Sequence, residues 1–307
     1  MKLTHNTCWA VAVKSALAGV LVAIMAGCAS QLFTLETARL AAEKGDASAQ
    51  YFLAIHYAKG DGVPHDDTKA AEYMLQAAKQ GYAFAQDDLG VYYLQGVGVG
   101  TDPAAANYWF RQAAEQGDPL AQYSLGRSFA EARGVTHDLQ EALKWYRLAA
   151  KQNQPEALAA LGDIYFFGDE GTPIDYSAAF HWYKKAAAHG CTSCLNSLGF
   201  MYEQGCGVKV SPESATACYR QAAQQGNGKA CMNLGRMYQA GLGVSKDPVE
   251  AYKWFALAVI NGDKAGNHYL EEMSDTSPLA GEKLTPAQRA EALQRVNDYH
   301  KQSRNRD

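Results

Sequence analysis

Cysteine is the residue type with the clearest chemical potential in this chain, because five cysteines fall within a stretch of about forty residues. They are Cys191, Cys194, Cys206, Cys218 and Cys231. Disulfide bonding, metal binding and redox exchange are the chemistries that such a group could support. A single zinc site is disfavoured, since the mainly helical stretch from Cys194 to Cys206 spans ~18 Å, whereas zinc holds its sulfur ligands at ~2.3 Å.

Disulfide pairing among Cys191, Cys194, Cys218 and Cys231 remains open from the sequence. Cys191 and Cys194 could close a small loop, but Cβ atoms three residues apart on a regular helix lie ~5 to 6 Å apart. A disulfide needs ~4 Å, so pairing there requires a distorted helix start. A thioredoxin-type redox role is disfavoured, because no αβ unit surrounds this Cys-x-x-Cys motif.

Short catalytic motifs are absent from the sequence. It contains no Ser-x-x-Lys, no Gly-x-Ser-x-Gly and no His-Glu-x-x-His. Its histidines are scattered over different segments and indicate no shared centre. The sequence therefore predicts a protein that is not an enzyme, with no catalytic residues, no metal and no cofactor, although a triad assembled over long range remains the alternative.

Composition and charge narrow the class of partner. The chain has 307 residues, 48% of them hydrophobic and 20% charged, with a formal net charge of −4. These values are typical of a globular protein, and the scarcity of β-branched alternation favours helices. An acidic chain has little electrostatic attraction to phosphate backbones, so nucleic acid is not an expected partner.

The N-terminus has the pattern of an export signal. Lys2 and Lys14 precede a short apolar run over residues 15–26, which is well short of the ~20 apolar residues of a membrane-spanning helix. The motif Met25-Ala26-Gly27-Cys28 resembles the lipobox of bacterial lipoproteins. That resemblance implies a signal peptide over residues 1–27 and diacylation of Cys28, whereas an ordinary secretory peptide cleaved nearby is the alternative.

The residues after Cys28 bear on location and reach. Ala29-Ser30 lacks the Asp associated with inner-membrane retention in lipoproteins, so the resemblance implies the outer membrane facing the periplasm, with the cell surface as an alternative. The five residues from Ala29 to Phe33 reach at most ~18 Å. We therefore expect the folded part to begin close to the bilayer.

An internal repeat of about 36 residues organises the rest of the chain. Leu-Gly pairs recur in phase at residues 89–90, 125–126, 161–162, 198–199 and 234–235. Glycines close each period at Gly45, Gly81, Gly117, Gly190, Gly226 and Gly262. Asn153 takes the one missing place, and Asn is the usual substitute where a helix ends in a left-handed residue.

Each period predicts a helical hairpin. A first helix contains the Leu-Gly pair, a Gly-x-Gly turn follows, and a second helix has an aromatic pair before two alanines. Glycine inside a helix costs about 1 kcal/mol relative to Ala, so its recurrence predicts a close approach of the second helix. The aromatic pairs are core candidates: Trp109-Phe110, Trp145-Tyr146, Trp182-Tyr183 and Trp254-Phe255.

This order of residues resembles the Sel1-like repeat, a relative of the tetratricopeptide repeat. The resemblance implies an all-α, right-handed superhelical solenoid of six hairpins. The predicted repeats are residues 46–81, 82–117, 118–153, 154–190, 191–226 and 227–262. Residues 28–45 would form the lipid anchor and an N-terminal capping helix, and residues 263–307 C-terminal capping helices and a frayed tail.

The resemblance also bears on the cysteines and on catalysis. In the cysteine-rich branch of these proteins, a Cys closing one hairpin pairs with a Cys eight residues later. Cys231 holds the later position here, but its mate is replaced by Ala223, so that bridge is absent. A β-lactamase-like hydrolase, a label associated with such repeats, is disfavoured by the missing motifs.

The concave side of such a solenoid is the expected binding surface. Positions of the first helices that do not face the neighbouring hairpin are Phe52, Ile55, Phe84, Val91, Leu120, Arg127, Glu131, Asp163, Phe167, Phe200, Lys229 and Arg236. Some of these side chains could instead pack on the next hairpin. The predicted function is a membrane-anchored scaffold for a protein or peptide ligand, and the alternative is a structural accessory of envelope polysaccharide or peptidoglycan machinery.

Overall fold

The computed structural model describes residues 34–169, 171–274 and 283–304. The predicted signal peptide and Cys28 lie outside these ranges. The described part of the chain contains fifteen helices and, apart from one bridge between Asp169 and Thr172, no β-structure. The helices are α1 Leu35–Glu43, α2 Ala47–Lys59, α3 Asp67–Lys79, α4 Ala83–Gln95, α5 Pro103–Glu115, α6 Pro119–Ala130, α7 Leu139–Lys151, α8 Pro155–Phe167, α9 Tyr176–Ala188, α10 Thr192–Gln204, α11 Pro212–Gln224, α12 Gly228–Ala240, α13 Pro248–Ile260, α14 Gly266–Glu272 and α15 Pro286–Arg304.

The helices form two compact units, of which the first ends at Gln152 and the second begins at Asn153. In the first unit, each helix from α1 to α6 packs against the next helix in sequence. In the second unit, each helix from α8 to α13 does the same, and α15 packs on α13. This stacking of consecutive hairpins confirms the predicted all-α solenoid class. None of the helices in the described ranges is both long and apolar enough to cross a bilayer.

The glycine inside each first helix lies against an aromatic ring of the second helix, as predicted. A Cβ atom on Gly235 would lie 2.6 Å from a ring carbon of Phe255, which is fully buried. Gly90, Gly126, Gly162 and Gly199 face rings in the same way. Because interiors are close-packed, only glycine lets these helices approach so closely.

A ladder of buried glutamines joins successive repeats of the first unit. The amide of Gln86 in α4 donates to the carbonyl of Ala78 at 3.0 Å and accepts from Gln116 at 2.7 Å. Gln50 and Gln122 make the equivalent bonds. Each glutamine thus adds a side-chain hydrogen bond to a carbonyl at the end of a second helix, which also accepts a backbone N–H.

Two non-glycine residues of the described chain have a left-handed backbone. Asn153 has a φ of 61°, as predicted for a residue that substitutes for a closing glycine. Ala132 has a φ of 55° and stands where equivalent turns have Gly96 or Gly241. An L-residue in this region costs roughly 1–2 kcal/mol. Ala132 therefore carries local backbone strain in the third repeat.

Replacing Ala132 with glycine should stabilise the first unit. Relief of the left-handed strain exceeds the extra entropy of glycine in the unfolded chain, so we expect a gain of about 0.5–1 kcal/mol in the free energy of unfolding. Ala130→Gly is the matched control, because Ala130 is helical and the same change there should destabilise. Urea denaturation measures both, and destabilisation by A132G would contradict the assignment of strain.

Helices cover both ends of the array. Helix α1 buries Ala38 and Ala42 against Ala49 and Leu53 of α2. At the other end, the backbone N–H of Thr285 donates to the Gln288 side chain at 2.9 Å, while the backbone N–H of Gln288 donates to Thr285 Oγ1 at 3.3 Å. This reciprocal pair is a capping box. The helix it starts continues to Arg304, so the tail predicted to fray from Lys301 is helical through that residue.

Candidate partner-binding surface

None of the predicted groove residues is fully buried, but they differ in what they contact. In the first unit, Phe52 and Ile55 pack against buried clusters and contribute mainly to the core. Val91 and Leu120 are half-buried. Phe84 is exposed. Among the charged positions, Glu131, Lys229, Arg236 and Asp163 are exposed, while Arg127 is half-buried.

The predicted groove charges have local contacts. Asp163 accepts a hydrogen bond from the Tyr183 hydroxyl at 2.6 Å. Arg236 lies 3.8 Å from Glu203, which accepts from the Tyr219 hydroxyl at 2.7 Å. Arg127 lies over the Tyr123 ring, Glu131 pairs with Arg133, and both contacts are within the first unit. These contacts give the charges structural roles beside any role in binding.

An aromatic patch lies on the second unit. We define it as Phe166, Phe167, Tyr176 and Phe200, with Phe166 at its centre. The centroid of the Phe166 ring lies 4.9 Å from that of Phe167, 5.2 Å from that of Tyr176 and 6.1 Å from that of Phe200. Phe167 is 71% exposed and Phe200 42% exposed. Large aromatic side chains in this state are typical of surfaces that bind another molecule.

An acid cluster lies on the first unit, formed by Asp87, Asp88 and Asp118. Asp88 Oδ2 accepts a hydrogen bond from the Tyr51 hydroxyl at 2.7 Å. Asp118 is the N-cap of α6 and accepts the Ala121 N–H at 2.8 Å. Asp87 is only 8% exposed, and its Oδ1 atom has no hydrogen-bond partner. A buried polar atom without a partner is uncommon in folded proteins and needs an explanation.

Burial determines the acidity of this cluster. It raises the pKa of Asp87 well above the ordinary value, and the charges of Asp118 and Asp88 raise it further. Burial also raises the pKa of Asp88 to about 6, although the hydrogen bond from Tyr51 acts in the opposite direction. The pKa of Asp118 is raised by burial too, against its helix-capping bonds. Burial therefore makes all three carboxyl groups weaker acids than an exposed aspartate.

Three aromatic rings lie beside the acid cluster. The Tyr51 ring lies 5.2 Å from the Tyr82 ring and 6.5 Å from the Phe84 ring, measured between centroids. The Tyr82 and Phe84 rings are 5.9 Å apart. Because Phe84 is exposed and Asp88 is only partly covered, this group of rings and carboxyls has an open side. We call Tyr51, Tyr82 and Phe84 the aromatic trio.

The sequence prediction named Phe84 but missed the acid cluster. The residue types at this repeat position could have indicated the cluster. The first, third and fourth repeats have Tyr51, Tyr123 and Ala159 at the position of Asp87, so a carboxylate stands where these repeats have apolar or aromatic residues. Phe166 and Tyr176 of the aromatic patch were missed as well, because Phe166 is out of phase with the stripe and Tyr176 begins a second helix.

The structure joins Cys191 and Cys194 in a disulfide, with Cα atoms 5.3 Å apart. Cys191 is the N-cap of α10 and has an extended backbone, so the regular-helix geometry does not apply to it. Cys206, Cys218 and Cys231 have free thiols, and the pairing left open for Cys218 and Cys231 is therefore corrected.

Cys231 occupies the place that glutamine fills in the first unit. Its thiol faces the Ala223 carbonyl at 3.9 Å and accepts from Asn261 at 3.6 Å. Burial raises the pKa of this thiol to about 11. Cys231 thus has a packing role in the second unit, at the position that the ladder glutamines occupy in the first. Among the described residues, no group of three or more His, Cys, Asp or Glu side chains could hold a metal ion.

Hairpins stacked through a glycine-to-ring contact, with side chains exposed along the first helices, define a helical-repeat protein. The family model described as Sel1 repeat matches the chain six times, at residues 47–82, 83–118, 119–154, 155–191, 192–227 and 228–263. The chain belongs to the Sel1 repeat family. These matches confirm the six predicted repeats, with boundaries displaced by one residue.

Two solved structures are similar in both sequence and fold. A protective antigen of uropathogenic Escherichia coli strains with an SLR fold is 35% identical, with a TM-score of 0.76, over 86% of this chain and 56% of that chain. A Sel1 repeat protein from Oxalobacter formigenes is 31% identical, with a TM-score of 0.68, over 80% of this chain and 96% of that chain. The chain thus spans about half the length of the first relative. Among curated proteins, none matches the chain.

Proteins of this family are generally interaction scaffolds and are generally not enzymes. The six matched repeats span residues 47–263 of this chain.

Proposed function

We propose that this chain is a lipid-anchored scaffold of the bacterial cell envelope that binds a protein or peptide partner on its first helices. The observation that carries the proposal is the aromatic patch of the second unit. Two of its rings, Phe167 and Phe200, occupy first-helix positions in successive repeats and are exposed to solvent. Aromatic side chains, Phe among them, are enriched at the centres of protein interfaces.

A structural account of the patch is weaker than a binding account. Phe166 already fills the space between α8 and the rings beside it, so Phe167 adds little buried area to the fold. Exposed apolar residues contribute little to stability, and their replacement usually changes it by less than ~0.5 kcal/mol. Retaining an aromatic side chain here is therefore better explained by a partner than by folding.

Capture of the partner by the full-length lipoprotein tests this proposal. The double variant Phe167→Ser and Phe200→Ser should recover at least about tenfold less crosslinked protein than the unmodified chain, since each lost anchor weakens binding by more than ~1 kcal/mol. Ile260→Ser is the matched control, because Ile260 is exposed on a second helix of the same unit. Equal recovery by the double variant and the control would overturn the proposal.

The same preparation separates the alternatives. A structural accessory of glycan machinery would bind isolated peptidoglycan or polysaccharide in place of a protein, and that binding would not depend on Phe167. We infer that the chain has no catalytic activity of its own, and turnover of a β-lactam or muropeptide by the full chain would contradict this.

We further propose that the anchor is diacylated Cys28 and that the chain resides at the outer membrane facing the periplasm. The lipobox-like residues 25–28 and the disulfide in the second unit support export, because disulfides persist in oxidising compartments. An anchored scaffold would hold its partner near the membrane and raise its local concentration there.

A further inference from the structure

We infer that the acid cluster and the aromatic trio of the first unit form a binding site for the guanidinium group of an arginine side chain from a partner protein. This inference rests on the proposed function and names the chemistry of the partner. It concerns the first unit alone and is independent of the aromatic patch.

The unpartnered oxygen of Asp87 is the first reason. Asp87 is more than nine-tenths buried, and the charges of Asp118 and Asp88 lie near enough to raise the pKa of its carboxyl group. Whether or not Asp87 is protonated, Oδ1 lacks a donor within the described chain. A guanidinium group presents five N–H donors in a planar fork and would supply the missing bond.

The absence of a base around the cluster is the second reason. The groups that act on the three carboxyls are one another, the Tyr51 hydroxyl and the backbone N–H groups of Leu120 and Ala121 that bond to Asp118. Within the described ranges, no Lys or Arg forms an ion pair with any of the three. Buried carboxylates are normally paired with a cation. The cation that pairs with these carboxylates would therefore come from another molecule.

The aromatic trio is the third reason and gives the site its specificity. Aromatic faces attract cations, and a planar guanidinium also stacks on them. Phe84 is exposed and Asp88 is half-buried, whereas Asp87 is buried. An arginine entering from the solvent would thus pass aromatic rings before reaching carboxyl oxygens.

The equivalent place in other repeats lacks this combination. At the repeat position of Asp87, the fifth repeat has Asn196. At the repeat position of Asp88, the sixth repeat has Asn233. These two amides bond to each other at 2.9 Å, as Tyr51 and Asp88 do one repeat apart. The second unit therefore fills this position with a neutral, satisfied pair. At these two repeat positions, carboxylates occur only in the first unit.

The titration of the cluster predicts how binding depends on pH. Tyr92 on the same helix, Tyr51 on α2, Tyr82 before α4 and Asp118 at the start of α6 are the titratable groups around it. The tyrosines stay protonated in the working range because their pKa values are raised. Binding should therefore strengthen as the pH rises through about 6, where the Asp88 carboxyl ionises.

Calorimetric titration of the detergent-solubilised full chain with N-acetyl-arginine methylamide tests the site. We expect saturable binding that is at least about tenfold tighter than for the citrulline analogue, which has the same shape without the charge. Asp88→Asn and Asp87→Asn should each weaken arginine binding by about tenfold. Asp61→Asn is the control, because Asp61 is an exposed carboxylate of the same unit outside the cluster, and it should change nothing.

The outcomes separate this inference from the proposed function. Equal binding of the arginine and citrulline compounds, or unchanged arginine binding in both cluster variants, overturns the arginine site even if the full chain still captures a protein. Arginine binding that depends on Asp87 and Asp88 supports the site even if Phe167 proves irrelevant to capture. Loss of fold in Asp87→Asn leaves Asp88→Asn, whose amide can still accept from Tyr51, to decide the question.

Discussion

Replacing Gly243 with alanine should lower the free energy of unfolding of the second unit by about 3 kcal/mol. Gly243 has a φ of 67°, and a Cβ atom there would lie 2.2 Å from the carbonyl oxygen of Pro212. Left-handed strain costs roughly 1–2 kcal/mol. Displacing a backbone carbonyl at the start of α11 adds the rest, because no side chain can rotate away.

Gly241 provides the matched control. It lies in the same turn with a φ of 72°, but the nearest atom to its added Cβ would be Lys246 Cβ at 3.2 Å. Gly241→Ala should therefore cost only the left-handed strain, about 1–2 kcal/mol. Urea denaturation compares the two variants, and hydrogen exchange should show the loss of protection concentrated in α12 and α13.

A cost for Gly243→Ala no larger than that of Gly241→Ala would contradict the close approach of turn and helix. This contact joins two stacked repeats, since the turn belongs to the sixth repeat and Pro212 to the fifth. The Thr216 hydroxyl also donates to the Leu242 carbonyl at 3.1 Å across the same contact. The variant thus tests how one repeat is held on its neighbour.

Much of this fold could be predicted from residues that recur at fixed spacing. The glycine within each first helix and the ring facing it vary together, which shows the physical reason for the pattern. In the first repeat Ala54 replaces that glycine, and Met74 takes the place of the ring in the same buried cluster. A flexible side chain leaves room for a methyl group that an aromatic ring excludes.

The acid cluster could not be predicted in the same way. Periodicity tells which face of α4 a residue occupies, but Asp87 and Asp118 are 31 positions apart and meet only through the packing of two repeats. Their burial, and therefore their raised pKa values, depends on that packing. A sequence pattern also gives no reason to expect an unsatisfied oxygen, because the number of hydrogen bonds is a property of the assembled structure.

The disulfide shows a related limit of geometric reasoning from sequence. A regular helix keeps Cβ atoms at positions three apart too far from each other for a bridge. Cys191 precedes the helix and caps it, and its extended backbone brings the two sulfur atoms together. The helix starts one residue later than the regular-helix argument assumes, and this difference makes the disulfide possible. Helix boundaries are the least certain part of any sequence prediction.

Replacing Cys28 with alanine should remove the chain from the membrane fraction almost completely. A diacyl group buries many methylene groups at ~0.8 kcal/mol each, and two chains together anchor a protein stably. None of the helices in the described ranges could itself cross a bilayer. Cell fractionation together with incorporation of labelled palmitate measures the effect, which we expect to exceed about tenfold.

Cys8→Ala is the matched control, because Cys8 is a second cysteine of the N-terminal segment that the lipobox resemblance does not involve. It should leave both palmitate uptake and membrane association unchanged. If the segment is instead an ordinary secretory peptide, the unmodified chain takes up no palmitate and Cys28→Ala is processed like it. The two outcomes differ because lipidation requires the thiol of Cys28 itself, whereas ordinary cleavage requires only small residues before the cut.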